Sequence, residues 1–180
     1  MKVYLDNNIV SAIAKDDHPV ESGALDRLLE AKDEGKVHLV TSEVTLGEIK
    51  AYRGPKRPPV ERTFRLLQKV SIIRWDQLLG INSYGDARSW INAPTIQNDP
   101  DFSALLALGV DTVDAQHVFV AAKHACGAFL TCDRGILQSA PAIGKLFGLV
   151  VQKPSDFVAS QGWRRRRAPR ARPEIMPPSP

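Results

Sequence analysis

Two apolar segments of the chain end in an aspartate. In "KVYLDNNIV" the alternating apolar residues run to Asp6, and in "AFLTCDRGIL" they run to Asp133. Both patterns are typical of buried strands. An aspartate that follows a strand can simply cap the next helix. Two such strands also predict a shared site, because ligands of open parallel α/β sheets bind beyond the carboxyl ends of the strands.

Two further acids are candidates for the same site, and each has a competitor nearby. Asp114 lies in the first turn of a predicted helix that begins near residue 111 or 112 and runs through Lys123. Asp111 shares a face with it at a spacing of three residues, or caps that helix. Glu48 lies in the helix predicted after the second strand. Glu43 is nearer to the start of that helix, where the dipole favours a carboxylate.

Four carboxylates gathered from these segments would need a counter-charge. Like charges a few ångströms apart raise one another's pKa unless a cation neutralises them. The motifs themselves offer only Arg134 and His117. Ligands that are all oxygen indicate Mg²⁺ or Mn²⁺ rather than Zn²⁺. Because such an ion activates water and binds phosphodiester oxygens, the pattern predicts metal-dependent phosphodiester hydrolysis.

The elements that must position these acids alternate along the chain. Strands are predicted at residues 2–6, 36–42, 70–75, 128–132 and 148–152, with helices between them. This alternation predicts a three-layer α/β/α fold with a central parallel sheet of about five strands. Gly127 is expected to terminate the long helix. A short helix is expected after Asp133, and further helices at 60–69, 77–92 and 103–108.

Composition predicts one domain, residues 1–160, followed by a disordered tail, residues 161–180. The chain has 180 residues, of which 43% are hydrophobic, enough for one sizeable core. The tail holds six arginines and one glutamate, which accounts for the overall net charge of +4. No apolar run approaches the roughly 18 residues that span a bilayer, and no signal peptide is recognised. The two cysteines show no metal-binding spacing, so we expect a cytoplasmic protein with no membrane partner.

Three segments together resemble the PIN domain family, small metal-dependent ribonucleases that include the VapC-type toxins. They are "KVYLDNNIVSAI", "TSEVTLGEI" and "DTVDAQHVFVAAKHACGAFLTCDRGIL". The resemblance covers roughly residues 1–158. It implies that the catalytic, metal-binding acids are Asp6, Glu48, Asp114 and Asp133, with Mg²⁺ or Mn²⁺ as cofactor. It therefore favours Asp114 over Asp111 and Glu48 over Glu43. Family members often carry Thr or Ser where this chain has Asn7, whereas Asn8 matches the usual Asn.

The expected substrate is RNA. Eight basic residues lie between Lys50 and Arg74, against one acid, Glu61. Lysine and arginine supply the part of phosphate binding that is independent of sequence. Residues expected to bind RNA or position its phosphates are Asn8, Thr131, Arg134, Arg53, Lys56 and Arg57. His117 is interpreted as a packed helix histidine bonded to a carboxylate rather than as a general base.

The resemblance also implies partners. A toxin of this kind would be covered by a small antitoxin protein, and a homodimer is expected. The alternative function is a non-cleaving RNA-binding or ribosome-associated module that keeps the fold.

Overall fold

The five described strands form one parallel sheet. The computed structural model describes residues 1–15, 19–51, 68–74, 96 and 98–163. The strands are β1 (Lys2–Leu5), β2 (His38–Ser42), β3 (Ser71–Ile73), β4 (Ala128–Leu130) and β5 (Val150–Gln152), in the order β3-β2-β1-β4-β5. All neighbouring pairs are parallel. The predicted α/β fold class is therefore confirmed.

The order of the strands reverses at β1. From β1 the chain builds outward through β2 and β3 on one side, then returns to place β4 and β5 on the other. In such a sheet, the crevice at the point of reversal is the usual ligand-binding position. Leu5 of β1 pairs with Leu130 of β4, so the residues that follow these two strands, Asp6 and Thr131, leave the sheet side by side.

The described helices connect the strands. They are α1 (Asn7–Lys15), α2 (Pro19–Asp33), α3 (Glu43–Ala51), α4 (Pro100–Ala107), α5 (Thr112–Lys123), α6 (Arg134–Phe147) and α7 (Pro154–Ser160). None of the helices in the described part of the chain is long and apolar enough to cross a membrane. The predicted helix at 77–92 lies outside the described residues, as does nearly all of the one at 60–69. Of the predicted tail, the structure describes only residues 161–163.

Apolar clusters cover both faces of the sheet because alternate strand residues point to opposite sides. One cluster joins Tyr4, Val40 and Phe129 of the strands to side chains of α5 and α6. The other joins Val3 and Leu5 to α1, α2 and α7. The result is the expected three-layer arrangement, with the sheet as its middle layer.

The end of α5 differs from the prediction. The helix ends at Lys123 with His124 as its C-cap, and Ala125 adopts the left-handed conformation at φ 52°. The Ala125 N–H bonds to the Ala122 carbonyl and the Cys126 N–H to the Ala121 carbonyl, both at 3.0 Å, which is the Schellman pattern. Gly127 is therefore not the cap. It begins the approach to β4, where an added Cβ would lie 3.0 Å from the Met1 side chain.

Two helices also differ from the prediction in length. The helix after Asp133 is not short: α6 spans 14 residues and runs through Pro141. Burial of Ile136 and Ile143 on one side of this helix compensates for the backbone donor that proline lacks. Helix α4 begins at Pro100 rather than at residue 103, because Asp99 accepts a hydrogen bond from the Asp101 N–H and caps it.

Candidate functional site

Asp6 is buried and held rigidly at the end of β1. Its residue is only 3% exposed. Oδ1 accepts from the Asn7 N–H at 2.7 Å, and Oδ2 accepts from Asn8 Nδ2 and from Thr131 Oγ1, each at 2.7 Å. Burial raises the pKa of Asp6, and this effect exceeds the lowering by His117 and the hydrogen bonds. The hydrogen bonds therefore fix the position of the carboxylate, while its burial disfavours the charged form.

Asn8 and Thr131, both predicted to position phosphate, use their polar atoms to fix Asp6. Asn8 Nδ2 also donates to Thr131 Oγ1 at 2.8 Å, and Asn8 Oδ1 accepts from the Cys132 N–H at 3.0 Å. Thr131 Oγ1 in turn accepts from the Asp133 N–H at 2.9 Å. These bonds tie α1 to the loop between β4 and α6, so the two residues act on the site through Asp6. Contact with a phosphate stays a prediction.

Asp133 caps α6 and also faces the site. Its Oδ1 accepts from the Gly135 N–H at 2.7 Å and from the Ile136 N–H at 3.1 Å. Within the described residues, its Oδ2 has no hydrogen-bond partner. One oxygen of Asp133 therefore satisfies the helix end, while the other is available to a ligand. Arg134, the first residue of α6, is exposed.

Asp114 is electrostatically coupled to Asp6 and Asp133. It is half-buried, and its pKa is raised to about 6, first by burial and then by the negative charges of Asp6 and Asp133. Its carboxylate makes no hydrogen bond to any other described residue. Asp111 instead caps α5, accepting from the Val113 N–H at 2.9 Å. Because α5 begins at Thr112, Asp111 occupies the capping position and Asp114 lies in the first turn of the helix.

Glu48 faces the site through His117. Glu48 Oε2 lies 2.7 Å from His117 Nε2, which is also 4.0 Å from Asp6 Oδ1. Glu43, the competing acid, lies 3.5 Å from Arg74 Nε. His117 thus stands between Glu48 and Asp6 and bonds to a carboxylate, as expected for a packed helix histidine.

A buried hydrogen-bond chain behind His117 could not be anticipated from the acids alone. His117 Nδ1 lies 2.8 Å from the Tyr4 hydroxyl, which lies 2.6 Å from Ser42 Oγ. Burial lowers the pKa of His117, but the bond to Glu48 and the charges of Asp6, Glu48 and Asp114 outweigh it, so the net shift is upward. The available signal was spacing, because Tyr4 precedes Asp6 by two residues and side chains two apart share a face of a strand.

The donor set suits a hard dication in chemistry, although it is not gathered into a closed group. Carboxylate oxygens are the ligands that Mg²⁺ and Mn²⁺ prefer, and the negative charges of Asp6 and Asp133 add to the effect of burial in raising the pKa of Asp114. Across the described part of the chain, however, no three His, Cys, Asp or Glu side chains are grouped closely enough to hold a metal ion. Glu48 Oε2 is bonded to His117 Nε2. Arg53, Lys56 and Arg57 lie outside the described residues.

Comparison with known proteins supports the fold. No family model matches the chain, and no curated protein matches it in sequence. Among solved structures, it is similar to the crystal structure of VapBC2 from Rickettsia felis bound to a DNA fragment from their promoter. The TM-score is 0.53 at 12% sequence identity, covering 85% of this chain and 98% of that chain. At this identity the likeness concerns architecture alone. The chain therefore has a PIN-like α/β fold.

Proposed function

We propose that the protein is a Mg²⁺- or Mn²⁺-dependent endoribonuclease that hydrolyses RNA phosphodiester bonds. The observation that carries this proposal is that Asp114 is half-buried and lies within the electrostatic reach of Asp6 and Asp133; burial first, and then these two negative charges, raise its pKa to about 6. Asp6, Asp114 and Asp133 come from three separate segments and interact electrostatically near the ends of β1 and β4, where the strand order reverses. A fold that needed no cation there would gain stability by losing one of these charges.

Each acid has a distinct task in this proposal. Asp6 provides the rigid ligand, because three hydrogen bonds fix its carboxylate. Asp114 and the unbonded oxygen of Asp133 provide oxygens without described hydrogen-bond partners, and Glu48 provides a fourth carboxylate beside His117. When bound, the metal supplies a nucleophile at neutral pH and stabilises charge in the phosphoryl transition state. Asn8 and Thr131 keep Asp6 in place during the reaction.

Basic side chains would hold the RNA. An acidic hollow repels a phosphate chain, so cations must flank it. Arg134 is exposed directly beside Asp133, and we propose that Arg53, Lys56 and Arg57 contribute from the basic stretch. Single-stranded or looped RNA is the proposed substrate, because its bases and backbone are open to contact.

We further propose that the protein is the toxin of a toxin–antitoxin pair. Support comes from the solved structure of similar fold, which is a VapBC2 complex bound to promoter DNA. A small antitoxin protein would then cover the acids, and the toxin would form a homodimer. Co-purification with the product of a neighbouring gene would test this part of the proposal.

The activity is tested by incubating single-stranded RNA with the full chain and Mg²⁺ or Mn²⁺, with and without EDTA. Asp6→Asn should reduce cleavage by at least about 100-fold, the upper end of what losing even an outer partner of a metal ligand costs. The matched control is Asp26→Asn, an exposed aspartate on α2, which should leave cleavage unchanged. Cleavage that survives both EDTA and Asp6→Asn would refute the proposal. RNA binding without cleavage would favour the non-cleaving module.

A further inference from the structure

We propose that Ser42, Tyr4 and His117 form a buried positioning relay that holds the Glu48 carboxylate in the metal site. The proposal rests on the proposed function, since it concerns how one of the metal-binding acids is kept in place. We call these three residues the buried relay. They come from β2, β1 and α5, and they end on Glu48 of α3.

The buried relay is continuous and excluded from water. Ser42 is 1% exposed, Tyr4 is fully buried, and His117 is 1% exposed. The successive contacts are 2.6 Å from Ser42 Oγ to the Tyr4 hydroxyl, 2.8 Å from there to His117 Nδ1, and 2.7 Å from His117 Nε2 to Glu48 Oε2. Hydrogen bonds in such surroundings are strong, and breaking one leaves an expensive unpaired group.

The chemistry of Glu48 fixes the direction of the hydrogen bonds. An ionised carboxylate only accepts, so His117 Nε2 must donate to Glu48. In a neutral imidazole, Nδ1 then accepts from the Tyr4 hydroxyl, and the Tyr4 oxygen accepts from Ser42. In an imidazolium Nδ1 also donates, so the directions of the Tyr4–His117 and Ser42–Tyr4 bonds reverse. The bond to Glu48 is the same in both forms, so the buried relay presents a donor to Glu48 in either case.

The geometry assigns the buried relay more than a packing role. The Tyr4 ring already packs against Phe129, with ring centroids 5.2 Å apart and planes 7° apart, and Ser42 alone could satisfy its hydroxyl. The Glu48 side chain, by contrast, is 33% exposed. A glutamate at this exposure retains much rotamer freedom, and ordering it has an entropic cost. A buried donor at His117 Nε2, which lies 4.0 Å from Asp6 Oδ1, restricts the Glu48 carboxylate to the neighbourhood of Asp6.

A pair of substitutions at His117 separates the donor from the bulk of the ring. His117→Gln keeps an N–H donor at about the position of Nε2, facing Glu48, and loses the group that faces Tyr4. His117→Asn is too short to reach Glu48 and keeps its polar end near Tyr4. Tyr4→Phe removes only the hydroxyl and retains the ring stacking. Ser155→Ala is the matched control, because it removes a side-chain hydrogen bond, to Glu21, that lies outside the buried relay.

The readout is the Kd for Mn²⁺, measured calorimetrically on the full chain, with thermal unfolding recorded for each variant. His117→Asn should weaken Mn²⁺ binding by about 10- to 100-fold, and Tyr4→Phe by about 10-fold, as expected for outer partners of metal ligands. His117→Gln should bind close to the unaltered chain, and Ser155→Ala should match it. Equal Kd values for all variants would overturn the proposed role of the buried relay. An equal loss of Mn²⁺ affinity in His117→Gln and His117→Asn would overturn it as well.

Nitrogen NMR provides a second test that needs no metal. In the unaltered chain, His117 Nε2 should carry a proton, and Tyr4→Phe should change the Nδ1 chemical shift. A bare Nε2 would overturn the proposed bond to Glu48. These outcomes are distinct from failure of the proposed function, which would appear as no Mn²⁺ binding by the unaltered chain.

Discussion

Replacing Asp114 with asparagine should stabilise the metal-free protein at neutral pH. Asp114 is half-buried, and its pKa is raised from 3.8 to about 6 by burial and by the charges of Asp6 and Asp133. Asparagine has nearly the same shape and no charge. The substitution therefore removes an unfavourable interaction that the folded state tolerates and the unfolded state lacks.

The sign and size of the effect follow from the pKa. A raised pKa means that the folded state holds the Asp114 proton more tightly than the unfolded state does. Stability from this group is therefore fully present below about pH 4 and is lost as the pH rises through about 6. The rise from 3.8 to about 6 corresponds to ~3 kcal/mol in a buried site. Solvent screening of a half-exposed group reduces this to ~1 kcal/mol.

Urea unfolding of both proteins in a chelating buffer measures the difference. The two free energies of unfolding should coincide near about pH 4 and differ by ~1 kcal/mol in favour of Asp114→Asn near about pH 7.5. Adding Mn²⁺ should then stabilise the unaltered chain and leave the variant nearly unchanged. Asp26→Asn, at an exposed position, should show no such pH dependence. If Asp114→Asn were no more stable than the unaltered chain at neutral pH, burial and the charges of Asp6 and Asp133 would not be destabilising the ionised Asp114.

Three further predictions concern Asp133 and two residues outside the site. Asp133→Ala should lower the free energy of unfolding by ~1 kcal/mol, whereas Asp133→Asn should not, because asparagine also caps helices; both should weaken Mn²⁺ binding measured by calorimetry. Glu21 accepts hydrogen bonds from the Ser155 N–H and hydroxyl. Glu21→Ala should therefore lower the free energy of unfolding by ~1–2 kcal/mol and speed amide exchange in α7. Unchanged exchange would contradict this. Burial, with a contribution from Lys2, lowers the pKa of His124, so the protein should lose stability as the pH falls through about 6.5; urea titrations should show a smaller loss for His124→Asn.

The sequence was sufficient to predict the parallel sheet, and it placed Asp6 and Asp133 in the segments that follow β1 and β4. Apolar alternation ending in Asp6 and Asp133 identified strand ends, and alternation of strands with helices required parallel pairing. Parallel strands place their carboxyl ends at the same edge of the sheet, so the two acids were expected on the same side of the molecule. The capping role of Asp111 was also predictable, because the helix begins at Thr112; metal binding by Asp114 stays a prediction.

The contacts of His117 could not be predicted in the same way. They depend on which strands are neighbours: Tyr4 meets Ser42 because β1 pairs with β2, and α5 brings His117 over both. No local pattern encodes a contact between residues this far apart in the chain. The prediction that Gly127 ends α5 was wrong for a local reason. Ala125 adopts the left-handed backbone conformation there, and in a sequence this conformation is usually indicated by a glycine.

The most direct measurement is a crystal of the protein soaked in Mn²⁺ and examined by anomalous scattering. We expect an anomalous peak beyond the ends of β1 and β4, with Asp6 among the ligands of the ion and Asp114, Asp133 and Glu48 around it. A map with no peak there, or with manganese bound only elsewhere, would contradict the metal-dependent site.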